Sequence, residues 1–154
     1  LKSKNVSTNK KAFRDYFIVD RWECGIALSG SEVKSIRDGG LNFKDSFARV
    51  EKDEIFLYNL HINPYLQASY LNEDSDRKRK LLLNKSEIKR ILGRMTQKGL
   101  TLVPTKIYFN ARNFVKVEIG LVKGKKFFDK RETIKKRDID KQLDRAVRTF
   151  KTRS

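Results

Sequence analysis

Apolar residues fall in short, bounded runs along this chain. Tyr16-Phe17-Ile18-Val19, Trp22 and Gly25-Ile26-Ala27-Leu28 are β-branched and aromatic runs that predict strand from about Asp15 onward. Phe47-Ala48-Arg49-Val50 and Ile55-Phe56-Leu57-Tyr58 flank a polar turn, Glu51-Lys52-Asp53-Glu54, which is a hairpin pattern. Pro64 stops the strand that continues through Leu60-His61-Ile62. Leu100 to Phe109 and Phe114 to Val122 predict two more strands, with Asn110-Ala111-Arg112-Asn113 as the turn between them. In the second, Val115, Val117, Ile119 and Leu121 alternate with Lys116, Glu118 and Gly120, giving one buried and one wet face.

Two segments change to helical spacing. Ser29-Gly30-Ser31-Glu32 is a capping-box pattern, Val33 and Ile36 follow as an apolar stripe, and Asp38-Gly39-Gly40 ends the element. Asn84-Lys85-Ser86-Glu87 repeats the pattern before Ile88, Ile91, Leu92 and Met95, with a stop at Lys98-Gly99. Residues 1–9 have no periodicity and read as a flexible arm. Tyr70 to Lys80 reads as a loop ending in the basic run Arg77-Lys78-Arg79-Lys80. Composition shifts at Lys123: residues 123–154 hold 13 Lys+Arg against 5 Asp+Glu. Ile139, Leu143, Val147 and Phe150 form a thin stripe there, on a segment expected to be disordered alone and helical on a polyanion. The expected division is an arm over 1–9, a body over 10–122 and a basic tail over 123–154. Short strands, two helices and one core predict a mainly β protein with some α. A small antiparallel barrel of the oligonucleotide-binding (OB) type fits this, with a generic α+β sheet as its rival.

Charge narrows the function. The chain carries +17, from 36 Lys+Arg against 19 Asp+Glu. Such self-repulsion calls for a polyanionic partner, nucleic acid first and an anionic membrane surface second. No apolar run approaches the roughly 20 residues needed to span a bilayer, so no membrane role is expected. One Cys and one His provide neither a disulfide nor a zinc site, so neither metal nor cofactor is expected and the location should be cytoplasmic. No Ser–His–Asp order, phosphate loop or dinucleotide fingerprint is present, and no catalytic residue is assigned. Cys24 is read as a small strand residue and His61 as structural or, in the alternative, a base. The pairs Asp53/Glu54 and Glu73/Asp74 look like solvated turn residues. Arg77-Lys78-Arg79-Lys80 is either a solvated loop or a phosphate-binding edge at a helix mouth. Glu23 either accepts hydrogen bonds from a base or a 2′-hydroxyl or is a plain strand carboxylate; physics alone leaves both open.

Together the motifs resemble a family. Asn9-Lys10-Lys11-Ala12, Asp15-Tyr16-Phe17-Ile18 and the stretch from Trp22 to Arg37 resemble the start of small protein B, the bacterial SsrA-binding proteins. Arg79-Lys80-Leu81-Leu82-Leu83-Asn84, Lys116-Val117-Glu118-Ile119-Gly120 and Gly124-Lys125-Lys126-Phe127-Phe128-Asp129-Lys130-Arg131 continue it in order. The resemblance implies a six-stranded antiparallel OB-like barrel with flanking helices, monomeric when free. Its ligand would be the tRNA-like domain of transfer-messenger RNA (tmRNA), which it would deliver to stalled ribosomes in trans-translation. The tail would become helical in the decoding centre, against 16S rRNA, and in the empty mRNA channel. The Glu-x-Gly and Leu-Leu-Leu-Asn motifs put RNA binding on Glu23, Leu82 and Asn84. The RNA-binding set is then Glu23, Gly25, Lys34, Arg37, Arg77, Lys78, Arg79, Lys80, Leu82 and Asn84. The ribosome-binding set is Gly124, Lys125, Lys126, Phe128, Asp129, Lys130, Arg131, Lys135, Lys136 and Arg145. Cys24 stands where the family often has Ala. Phe128 stands where many members have His, so a proton-transfer role is excluded there and stacking survives. Two other classes remain in view: a generic ribosomal or single-strand-binding barrel, and an RNA-processing enzyme using His61 and a carboxylate.

Overall fold

Lys4–Thr8 is a strand, β1, although its sequence carries no alternation. It pairs antiparallel with a later strand, from Lys4 opposite Phe109 to Thr8 opposite Lys106. The expected flexible arm is therefore corrected for these residues. What orders them is backbone pairing on a free strand edge, which no side-chain pattern records. The computed structural model describes residues 4–65, 74–96 and 99–125.

A helix absent from the sequence reading follows: α1, Lys10–Asp15. Asn9 caps it, its Oδ1 accepting the Ala12 N–H at 3.2 Å, while its Nδ2 donates to the Pro104 carbonyl at 2.8 Å. At six residues the helix is too short for a 3.6 period to show. β2 (Tyr16–Ile26) is the long strand expected from the aromatic runs. α2 (Gly30–Arg37) has both halves of its capping box, and Gly39 beyond it takes φ +77°. β3 (Leu41–Asn42) pairs with β6 (His61–Ile62) as a small separate ribbon. β4 (Phe47–Glu51) and β5 (Glu54–Tyr58) form the expected hairpin. Its two turn residues, Lys52 and Asp53, have φ of 47° and 63°, the left-handed pair of a tight hairpin turn.

β7 (Arg79–Leu82) lies where a loop was expected. α3 (Lys85–Arg94) buries Ile88 and Ile91 and leaves Leu92 exposed. Asn84 makes no capping bond through its side chain; its Nδ2 donates to Glu87 Oε1 at 3.2 Å instead. The second capping box is thus not formed, and α3 ends before the predicted stop. β8 (Leu100–Phe109) and β9 (Val115–Gly124) match their predicted strands closely.

The sheet closes on itself. β8, β4, β5, β7, β2 and β9 follow one another in hydrogen-bonded order, and β9 pairs back onto β8. Every pairing is antiparallel; β7 joins β2 only at Gly25 and Ile26, β4 joins β8 only at Ala48–Leu102, and β1 covers the Lys106–Phe109 half of β8. Ile55, Leu57, Leu81, Leu102, Ile107, Val117, Ile119 and Leu121 are among the side chains filling it. A second small cluster, Ala12, Val103 and Val122, seats α1 on the outside. Gly120, on the β9 face expected to be wet, is buried instead, and Val122 beyond it belongs to that cluster.

Candidate nucleic-acid interface

Cross-strand register assembles the site. Gly25 of β2 lies opposite Leu82 of β7 on one side and Lys116 of β9 on the other, and Lys116 lies opposite Tyr108 of β8. In the neighbouring row Glu23 lies opposite Glu118, which lies opposite Lys106. Strand residues two apart share a face, so both rows belong to the outer face of β7-β2-β9-β8. The Glu-x-Gly and Leu-Leu-Leu-Asn segments, far apart in sequence, thus meet.

Each position has a physical reason. A Cβ on Gly25 would stand 3.1 Å from Leu82 Cβ and 3.3 Å from its Cδ1, so glycine lets Leu82 lie across the β2 backbone. Leu82 is 51% exposed, a large apolar side chain facing water. Glu23 is exposed and accepts a hydrogen bond from the Tyr108 hydroxyl. Burial, then that bond, raises the Tyr108 pKa, so the phenol keeps its proton to donate. Thr105 Oγ1 donates to Glu118 Oε2 at 2.5 Å, and Lys106 Nζ lies 4.0 Å from Glu118 Oε1. Glu23, Lys106, Tyr108 and Glu118 border an open depression of about 530 Å³. Tyr108, Lys106 and Lys116 were not singled out as site residues. Lys116 is already on the wet face of the 115–121 alternation, and carrying that alternation one strand back finds Lys106 and Tyr108.

The basic run behaves differently from expectation. As part of a strand it divides by the pleat: Lys78, Lys80 and Leu82 point out, Arg79 and Leu81 point in. Arg79 is 0% exposed. Its Nε donates to Glu32 Oε2 at 2.7 Å, and its remaining donors reach the carbonyls of Leu60, Ser75 and Arg77. Arg77 Nη2 binds Glu32 Oε1 at 2.5 Å. Burial pushes the Glu32 carboxyl up, but hydrogen bonds from Arg77, the Ser29 N–H and Arg79 outweigh it and hold the pKa below the usual range. Arg79 is therefore a scaffold residue, and its assignment to phosphate contact is corrected: a guanidinium with no exposure cannot reach a phosphate. Lys78 and Lys80 remain on the surface, paired with Glu51 at 3.1 Å and Glu54 at 3.3 Å.

Lys34 and Arg37 are exposed on α2, over the rings of Tyr65 and Phe109. Asn84 is exposed at the start of α3. Gly124 closes β9 opposite Tyr16, and Lys125 Nζ lies 5.2 Å from the Phe17 ring centre. Lys126, Phe128, Asp129, Lys130, Arg131, Lys135, Lys136 and Arg145 lie outside the described residues. Burial pushes the Cys24 thiol up to about 12, in keeping with a core residue rather than a nucleophile. His61 Nδ1 sits 3.0 Å from Asp76 Oδ1, a carboxylate that also pairs with Lys44. Among the described residues no group of three His, Cys, Asp or Glu could hold a metal, and no helix is long and apolar enough to cross a membrane.

A closed antiparallel ring whose outer face carries Lys, Tyr and exposed apolar side chains has the make-up of a nucleic-acid-binding β domain. The SmpB protein family profile matches residues 6–149. The SsrA-binding protein of Thermosipho melanesiensis is 56% identical over 140 residues, covering 91% of this chain and 95% of its own. That of Carboxydothermus hydrogenoformans is 52% identical over 145 residues, covering 94% and 97%. A chain in the solved structure "tmRNA-SmpB: a journey to the center of the bacterial ribosome" is 55% identical. It covers 77% of this chain and 83% of its own, with a TM-score of 0.67. The chain belongs to the SmpB protein family.

Proposed function

We propose that this protein binds tmRNA through its tRNA-like domain and brings it to stalled ribosomes in trans-translation. It acts by binding and not by catalysis, in the cytoplasm, with tmRNA and the ribosome as partners. The observation that carries the reading is the meeting of Glu23, Gly25 and Leu82 on one outer face, with Asn84 just beyond. Glu23 accepts from a base amino group or 2′-hydroxyl, which a carboxylate can do in a basic protein only when hydrogen-bonded. Lys34, Arg37, Lys78 and Lys80 supply phosphate contacts, while Arg77 and Arg79 hold β7 on α2. The basic segment after Lys125 acts on the ribosome, at the decoding centre and in the mRNA channel, rather than in RNA capture.

The test compares the full chain with one ending at Lys125, which keeps β1 and all of β9. Both should bind the tRNA-like domain with similar affinity that falls steeply with salt as counterions are released. Only the full chain should support tagging on ribosomes stalled without a codon. Loss of all RNA binding on truncation would refute this division of labour.

A further inference from the structure

Phe114, at the entrance to β9, is 62% exposed, more than any other large apolar side chain among the described residues. Its turn holds it there. Asn110 Oδ1 accepts the N–H groups of Phe114 at 2.9 Å and Arg112 at 3.0 Å. The Asn110 N–H donates to the Phe114 carbonyl at 2.9 Å, and Asn113 takes φ 66°. An aromatic ring displayed on a locked turn is positioned rather than frayed. Between it and Leu82 lies a notch of about 240 Å³, lined also by Gly25, Leu28, Val33 and Lys116. The lining is mostly apolar, with Lys116 and Asn113 as its polar members, on a chain of net charge +17. A flat apolar wall beside a cation is how proteins take an unstacked base, because every base has a π-face and a phosphate beside it.

We propose that this notch receives one unpaired nucleobase of the bound RNA, stacked on Phe114 with Leu82 against its other side and Lys116 near its phosphate. The inference rests on the tmRNA-binding reading and adds to it a stacking residue. A single heterocycle fits such a notch; a duplex does not. Gly25 gains a second reason, since a side chain there would displace Leu82 from the notch wall.

The full-length chain is titrated with a tmRNA transcript, comparing the parent with Phe114→Ala, Phe114→Leu and Phe114→Trp. Loss of stacking in the Ala variant should weaken binding about 5- to 100-fold. The Leu variant should recover only part, and the Trp variant should match or exceed the parent. RNA should quench the emission of the Phe114→Trp chain beyond the Trp22 signal of the parent. Melting temperatures should agree, because the ring is mostly in water. Parental affinity in the Ala or Leu variant would overturn the stacking role while leaving RNA binding standing. Failure of the parent itself to bind tmRNA would instead overturn the functional reading and this inference with it.

Discussion

Glu32 is the residue whose loss the scaffold should feel most. Its side chain is 5% exposed and faces two guanidiniums, one of them fully buried. Oε1 takes Arg77 Nη2 at 2.5 Å and the Ser29 N–H at 2.9 Å; Oε2 takes Arg79 Nε at 2.7 Å and Arg77 Nε at 3.2 Å. Glu32→Gln keeps one accepting oxygen and turns the other into an N–H facing N–H donors. It also leaves the Arg79 charge buried without its counterion. Breaking one partner of a buried pair costs about 3–5 kcal/mol, which lowers Tm by about 10–15 °C for a chain of this size. Arg77 is partly exposed and can turn to water, so Arg79 carries the penalty. The pH dependence has a definite sign. The Glu32 pKa is lowered on folding, so its contribution is complete above the unfolded value of about 4.3 and is lost as pH falls through the folded value. The gap between parent and variant should therefore be widest near neutrality and narrow in acid. Urea and thermal unfolding at pH 7 and at pH 3 measure both. The double variant Glu32→Met with Arg79→Met should recover much of the loss, because no charge is then stranded. A Tm drop below 3 °C at pH 7, or a gap that does not narrow between pH 7 and pH 3, would refute the reasoning.

The outer face predicts a different pattern. Glu23→Gln and Glu23→Ala should each cost about 1–3 kcal/mol of RNA affinity with Tm unchanged, since the carboxylate is exposed. Tyr108→Phe, which removes the donor to Glu23, should cost less than either; a fall in Tm with affinity intact would make Glu23 structural. Gly25→Ala places a Cβ 3.1 Å from Leu82 Cβ and should weaken RNA binding about tenfold while changing stability little. Wild-type affinity there would show that the position of Leu82 does not matter.

Local chemistry was legible in the sequence wherever neighbours in the chain decide it. Ser29 and Glu32 form their capping box within four residues, whereas Asn84 and Glu87 at the same spacing do not, Asn84 Nδ2 donating to the Glu87 side chain instead. Lys52 and Asp53 make their turn, and residues 115–119 alternate, because backbone twist and pleat act over short spans. The family motifs point to Glu23, Leu82 and Asn84 without showing that their segments adjoin. The rest needed the tertiary structure. β1 forms because β8 has an edge to offer, and α1 because Asn9 reaches the Pro104 carbonyl. The four cations from Arg77 to Lys80 are alike in composition, yet the pleat turns Lys78 and Lys80 to solvent and Arg79 inward. A buried arginine is tolerable only because Glu32, 47 positions away, supplies the opposite charge. Register between distant strands put Tyr108 against Glu23 and opened the notch beside Phe114. Strand pairing and charge burial are settled by partners remote in the chain, so the faces of this protein were decided only when the ring closed.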